Sequence, residues 1–169
     1  MAYAIVNPVL GFPKIASTST APWQGGQSSQ LPPLGMKVQA VDPVYGVGEF
    51  IFLSGVASTV VGSWVTYNTD DYTTKLTVAD DIGPVAVAMS INVALQYGWY
   101  QIAGKAIGLT SAAVADNANV YTTATPGAVD DTVVAGERIY NAKAAQVFGS
   151  ATTGEFEIAH PWIQNTAAD

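Results

Sequence analysis

The sequence contains no cysteine and only one histidine, His160, in 169 residues. The absence of cysteine excludes disulfides and thiolate metal sites, and one histidine excludes multi-histidine metal sites. His160 precedes Pro161 and Trp162. We therefore interpret it as a packing residue at the end of a strand rather than a catalytic group.

Charge is also scarce, since 11% of residues are charged whereas 49% are hydrophobic. Soluble domains usually devote about a quarter of their residues to charge, so we expect much of this surface to be buried against partners. The net charge is −7, and the basic residues are scattered along the sequence. Nucleic-acid binding normally requires a basic patch, so nucleic acid is not an expected partner.

Long apolar runs are missing as well, and none reaches the roughly 20 residues that span a bilayer. The first residues, MAYAIVNPVLGFP, carry no positive charge and are interrupted by Asn7, Pro8 and Pro13. A secretory signal would start with basic residues and continue into an apolar segment. We expect a chain made in the cytoplasm, with no membrane partner.

Motifs for catalysis or cofactor binding are absent from the sequence. Gly46-Val47-Gly48 lacks the third glycine of the dinucleotide fingerprint, and neither a P-loop nor a G-x-S-x-G elbow occurs. Three acidic pairs lie at predicted turns, where aspartate hydrogen-bonds the local backbone: Asp70/Asp71, Asp80/Asp81 and Asp130/Asp131. A bridging Ca²⁺ stays open as the alternative. We predict no catalytic residue, no cofactor and no enzymatic activity.

What the sequence has in abundance is strand-forming residues, most clearly in Val93–Leu109 (VALQYGWYQIAGKAIGL). Its aromatic and β-branched residues suit a pleated surface, and neither face is cleanly polar. The pattern predicts a central strand covered on both sides, with Gly98 and Gly104 at bulges or close backbone contacts. An alternative is that a second subunit covers part of its aromatic surface at Trp99 and Tyr100.

Residues 36–169 contain about eight to ten short predicted strands in all, at the turn spacing of an all-β domain. They include a predicted strand at Val133–Ala135 and another at Glu155–His160, whose alternation indicates an acidic outer face. We predict a compact β-sandwich or barrel of short antiparallel strands.

Residues 1–35 differ, because six of the nine prolines lie within residues 1–43 and charge is almost absent. This composition is typical of an extended N-terminal arm or of a floppy tail. Apolar anchors such as Phe12, Ile15 and Trp23 favour an arm that lies across a neighbouring subunit and becomes ordered only in the assembly.

Three segments of the chain resemble head proteins of tailed bacteriophages: GVGEFIFLSGVAS, QYGWYQIAG and PGAVDDTVVAGERIYNAKAA. They begin at Gly46, Gln96 and Pro126. The similarity is to capsid decoration, or cement, proteins, and it covers roughly residues 36–160.

This resemblance implies a homotrimeric structural virion protein, bound to the major capsid protein on the outside of the head. It implies stabilisation of the shell through protein–protein contacts and no catalytic residues. The interface residues we expect are Phe12, Ile15, Trp23, Trp99 and Tyr100. The acidic turns should face solvent, away from packaged DNA. A trimeric tail-fibre or receptor-binding module is the alternative, and a small all-β enzyme is a third possibility.

Overall fold

The computed structural model of the chain describes residues 4–5, 13–20 and 32–164, and within these residues the fold is all-β, as predicted. Its twelve strands are β1 (Ala4–Ile5), β2 (Thr18–Ser19), β3 (Lys37–Asp42), β4 (Gly46–Ser54), β5 (Trp64–Tyr67), β6 (Thr74–Leu76), β7 (Gly83–Ala88), β8 (Tyr97–Leu109), β9 (Asn119–Thr122), β10 (Val129–Asp130), β11 (Arg138–Ala144) and β12 (Thr153–Ile163). No helix that could cross a membrane occurs among the residues described.

The strands form one large antiparallel sheet in the order β1-β3-β4-β8-β7-β12-β11-β9-β10. Strand β2 pairs with β8, while β5 pairs with both β6 and β7. Strands β7, β8 and β12 each pair with the other two, so the sheet bends sharply around them. A parallel bridge between Thr110 and Val129 brings the end of β8 to β10.

Strand β8 changes neighbours halfway along its length. Residues up to Ala103 pair with β4, whereas residues from Ala103 onward pair with β12. The change occurs beside Gly104, whose φ of +98° favours glycine. The buried Gln101 side chain donates from Nε2 to the carbonyls of Ala103 and Lys105, at 3.1 and 2.9 Å. These bonds satisfy carbonyl groups at the bend.

Apolar side chains pack in three clusters on both sides of the bent sheet. One cluster contains Trp99 and Phe52, whose rings meet edge to face at 5.1 Å. On the opposite face, Tyr100 packs in a second cluster. The largest cluster includes side chains of β8, β11 and β12, and in it the Trp64 and Phe156 rings meet at 5.1 Å. The predicted central strand, covered on both faces, is confirmed for this first half of β8.

Two further residues with left-handed backbone conformations lie close to Gly104. Asn141 in β11 has φ +59° and His160 in β12 has φ +52°. Gly104 pairs with Ile158, two residues before His160, and Asn141 lies in the register shift between β11 and β12. The three strands are therefore kinked along nearly the same line. β-Bulges are expected to bend a strand in this way.

Strand β12 extends through Pro161 to Ile163, beyond the predicted end at His160, and its outer face carries Glu155 and Glu157 as predicted. Residues up to Ala159 pair with β8, and Trp162 and Ile163 pair with β7. Pro161 lies between these two sets, where a missing N–H breaks no ladder bond. The strand predicted at Val133–Ala135 is wrong, because that segment is a loop and the strand is Val129–Asp130.

Parts of the expected arm pair with the chain's own sheet. Strand β1 pairs with β3, and β2 pairs with Tyr97 and Gly98 of β8. The Ile15 side chain is 2% exposed, and Trp99 Nε1 donates to the Pro13 carbonyl at 3.1 Å. Contacts of the arm with a neighbouring subunit, and the boundary at residue 35, stay predictions.

Candidate functional site

An open groove of about 740 Å³ lies on the outer face of the sheet, and we take it as the candidate site. Outward-facing residues of β8, β12, β11 and β9 form its floor. The hairpin between β3 and β4 forms a wall through Tyr45 and Val47. We call this site the basic groove; its lining residues are Tyr45, Val47, Gly104, Lys105, Asn119, Arg138, Asn141, Ala142, Lys143, Glu157, Ile158 and Ala159.

The strand register sets a row of side chains across the floor of the basic groove. Lys105 and Lys143 both lie opposite Glu157, and Asn119 lies opposite Lys143. Lys143 Nζ is 3.0 Å from Glu157 Oε2 and donates to Asn117 Oδ1 at 3.2 Å. Both side chains of this ion pair are about half exposed (45% and 50%), so the pair stabilises the fold by less than about 1 kcal/mol.

Arg138 adds a third cation to the basic groove. Its Nη2 donates to Asn119 Oδ1 at 3.1 Å, and its Cζ lies 5.1 Å from the centre of the Tyr140 ring. The buried Nε has no hydrogen-bond partner among the residues described. The ring and the amide together hold the guanidinium in place, as a cation–π contact does.

Half of the basic residues come together in space although they are scattered along the sequence. This corrects the expectation that the chain has no basic patch. Three of the six, Lys105, Arg138 and Lys143, line the same groove. They lie on β8 and β11, which flank β12 on either side. The alternation of inward-facing and outward-facing side chains within each strand was detectable in the sequence. The strand pairing that brings the three basic residues together was not.

The kinks in β8 and β11 shape the basic groove. A Cβ on Gly104 would lie 2.5 Å from the Val47 carbonyl oxygen, so glycine lets the hairpin approach β8 closely. Asn141 adopts its left-handed conformation in the groove lining. Left-handed residues that are not glycine are held there by their surroundings, and such residues are concentrated at functional sites.

Beside the basic groove is an apolar patch at the end of the β3–β4 hairpin, which we call the hairpin tip: Val41, Val44 and Val47. These valines are 41%, 77% and 58% exposed, and Val41 and Val47 are register partners. The buried carboxylate of Asp42 accepts hydrogen bonds from the backbone N–H groups of Val44 and Tyr45, at 2.8 and 3.0 Å. This turn chemistry fixes the valines in an outward position.

Three of the expected interface residues lie inside the chain's own core instead of on its surface. Ile15 is 2% exposed, and Trp99 and Tyr100 are 0% exposed. Ile15 and Trp99 share one cluster, while Tyr100 belongs to the cluster on the other face. Their position assigns them to the stability of a single subunit. Phe12 and Trp23 lie outside the described residues.

Tyr100 is a buried titratable group whose pKa is strongly shifted. Burial raises the pKa of the Tyr100 phenol to about 12, while the nearby side chains of Thr74, Asn92 and Thr59 act in the opposite direction. Its hydroxyl makes no hydrogen bond of good geometry within the described residues. A phenol with this pKa stays protonated near neutral pH and contributes to packing.

Asp70/Asp71 and Asp80/Asp81 lie at turns, as their sequence context predicted, whereas Asp130 is the last residue of β10. Asp71 Oδ1 accepts from the Thr73 N–H at 3.0 Å, and this bond, with that from the Thr73 hydroxyl, lowers the pKa of Asp71. Asp130 and Asp131 accept from the backbone N–H groups of Thr132 and Ala115, at 3.0 and 2.8 Å. Within the described ranges, no three histidine, aspartate or glutamate side chains are grouped to hold a metal ion.

The prediction that His160 packs at a strand end is wrong. His160 lies within β12, and its side chain is 56% exposed. Its Nε2 is 3.1 Å from Glu49 Oε2. The bulge at this position turns the imidazole outward, toward β4, which a two-residue alternation could not indicate.

Comparisons with protein-family models, curated proteins and solved structures found no significant match to this chain.

Proposed function

We propose that this chain is a structural virion protein, a capsid decoration protein that binds the outside of a tailed-phage head and stabilises the shell. The proposal rests on the resemblance of its sequence segments to that family. The hairpin tip is the structural observation that carries it. Three exposed valines on a rigid turn form a contiguous apolar patch, which is typical of protein–protein contact sites.

The mechanism is the repetition of a modest contact. Each buried square ångström of apolar surface contributes about 25 cal/mol before the cost of association is subtracted. A trimer would present three hairpin tips to the shell, and simultaneous attachment would raise the overall affinity through effective concentration. The turn residues Asp70 and Asp71 are exposed, and their charge would keep decorated particles apart in solution.

A head-binding experiment tests the proposal. Purified heads lacking the protein are mixed with the full chain, and the bound protein is counted per particle after sedimentation. We expect icosahedral stoichiometry for the natural chain. Serine at Val41, Val44 and Val47 should weaken attachment at least about tenfold, because each exposed valine would lose its apolar contact.

The matched control is serine at Val133, which is 75% exposed on a loop elsewhere in the chain. This variant should bind heads like the natural chain. Failure of the natural chain to bind heads, together with a stable monomer in sedimentation at micromolar concentration, would refute the proposal. Equal weakening by Val133→Ser would show that the hairpin tip has no special part in attachment.

One observation favours the alternative of a receptor-binding module. Trp162 is 41% exposed and lies directly opposite Tyr140 on the outer face of the sheet. Tyr140 is half-buried, so the exposed Trp162 is the ring that could stack against a sugar. Binding to host cells, with none to heads, would support this second function and exclude the first.

A further inference from the structure

We propose that the basic groove binds a short acidic oligosaccharide, in which the sugar rings carry carboxylate groups. The groove volume of about 740 Å³ lies within the usual range for small-ligand sites. This inference goes beyond attachment to heads and does not depend on it, because the charged and amide side chains of the groove are separate from the hairpin tip, with which the groove shares Val47.

Charge is the first argument for an acidic ligand. The chain has a net charge of −7, yet Lys105, Arg138 and Lys143 converge on this groove. The facing carboxylates are Glu157, opposite both lysines, and Glu155, which is 3.6 Å from Lys105 Nζ. The three cations of the lining therefore face two carboxylates, which leaves a net charge of one positive unit. A local excess of positive charge on an acidic protein attracts anionic ligands.

The remaining lining residues argue for hydroxyl groups in the ligand. Asn119 and Asn141 can each donate and accept hydrogen bonds, and Glu157 can only accept. Neighbouring sugar hydroxyls also donate and accept, so they match this mixture. Tyr45 in the wall offers an aromatic surface for the C–H face of a ring. An acidic peptide would also use the cations, but its backbone separates donors from acceptors, whereas every sugar hydroxyl supplies both at one atom.

The groove is largely preorganised, which lowers the entropy lost on binding. Lys143 is held by Glu157 and Asn117, and Arg138 is held by Asn119 and the Tyr140 ring. The left-handed backbone at Asn141 fixes its position within the bulge. A site kept in one geometry by its neighbours is what selective recognition of a ligand requires.

Calorimetric titration of the full chain tests the inference with three probes of equal length. These are a tetramer of galacturonate, a neutral glucose tetramer and tetraglutamate. We expect the galacturonate tetramer to bind with a Kd below about 1 mM and the other two at least about tenfold more weakly. No binding of galacturonate at about 10 mM, or equal affinity for either of the other probes, would overturn the inference.

Two charge-matched variants locate the site. Lys143→Gln should weaken galacturonate binding about tenfold, because it removes a charge-assisted hydrogen bond. Lys37→Gln makes the same charge change at an exposed position of β3 outside the groove, and its affinity should stay within about twofold. Tyr45→Ala should also weaken binding, and circular dichroism confirms that each variant is folded. Equal effects of Lys37→Gln and Lys143→Gln would show non-specific attraction and overturn the inference.

Discussion

The two halves of β8 differ in both composition and environment, since the aromatic residues lie in the first half and small residues predominate in the second. From Gly98 to Ile102 every side of the strand is buried, whereas from Ala103 onward buried and more exposed residues alternate. The first half lies between β4 and β7, with clusters packed on both faces. The second half packs its inner face against the largest cluster and turns Lys105 toward the basic groove. One strand therefore supplies both core residues and part of the groove lining.

The difference shows how a bend can separate stability from function within one element. Gly104 and Gln101 make the bend, the first through its backbone conformation and the second through its two side-chain hydrogen bonds. Substitutions before the bend should mainly change the free energy of unfolding. Substitutions after it on the outer face should mainly change what the chain can bind.

The largest expected effect is the difference in the free energy of unfolding between alanine substitutions at Trp99 and at Lys105. Trp99→Ala should lower the free energy of unfolding by about 3–5 kcal/mol, because it leaves a cavity beside Phe52. Lys105→Ala, on the outer face after the bend, should lower it by less than about 1 kcal/mol. Urea denaturation of both variants measures the comparison. Similar losses for the two would show that the halves do not differ in their contribution to stability.

A smaller effect should appear in the pH dependence of stability. The pKa of Tyr100 is about 12 in the folded chain against about 10 when unfolded, so the neutral phenol stabilises the fold. That stabilisation is fully present below pH 10 and is lost as the pH rises toward 12, amounting to about 2–3 kcal/mol. Burial also raises the pKa of Tyr67, which acts in the same direction.

Chemical denaturation between about pH 9 and 12 measures this loss, with Tyr100→Phe as the control. The variant has no phenol at this position, so its stability should fall less steeply over the same window. Parallel curves for the two proteins would contradict the burial of Tyr100 and with it the enclosed first half of β8.

The smallest of the three effects concerns the bend itself. Gly104→Ala should lower the free energy of unfolding by about 2 kcal/mol, because alanine is strained at φ +98° and would contact the Val47 carbonyl. Gly149→Ala is the control, since its Cβ would meet nothing within 4 Å. Differential scanning calorimetry compares both variants. An unchanged melting temperature for Gly104→Ala would mean that the bend tolerates an ordinary residue.

Local patterns predicted much of the fold correctly. The apolar content of the stretch around Trp99 indicated a strand covered on both faces, and the alternation around Phe156 and Ile158 indicated a half-buried strand. Asp71 and Asp130 each accept the expected hydrogen bond from a backbone N–H two residues away, whereas Asp131 accepts from the distant Ala115. Interactions over two or three residues decide these features, so they can be recognised in a short segment.

Which apolar residues are exposed was harder to predict, because aromatic residues suit cores and interfaces equally. Trp99 and Tyr100 lie in the core, while the exposed apolar patch is formed by the smaller Val41, Val44 and Val47. The exposure of these valines depends on the direction in which the hairpin leaves the sheet. Neither their hydrophobicity nor their spacing indicates that direction.

By itself, the sequence determined the all-β class, the strand at the centre of the sheet and the turns, since backbone preferences and side-chain alternation are local properties. Only the tertiary structure decided that β12 lies between β8 and β11, which brings Lys105, Arg138 and Lys143 into one groove. Lys105 and Lys143 are 38 residues apart along the chain. Strand pairing places both opposite Glu157, because pairing is set by long-range packing of the buried faces and not by nearby residues.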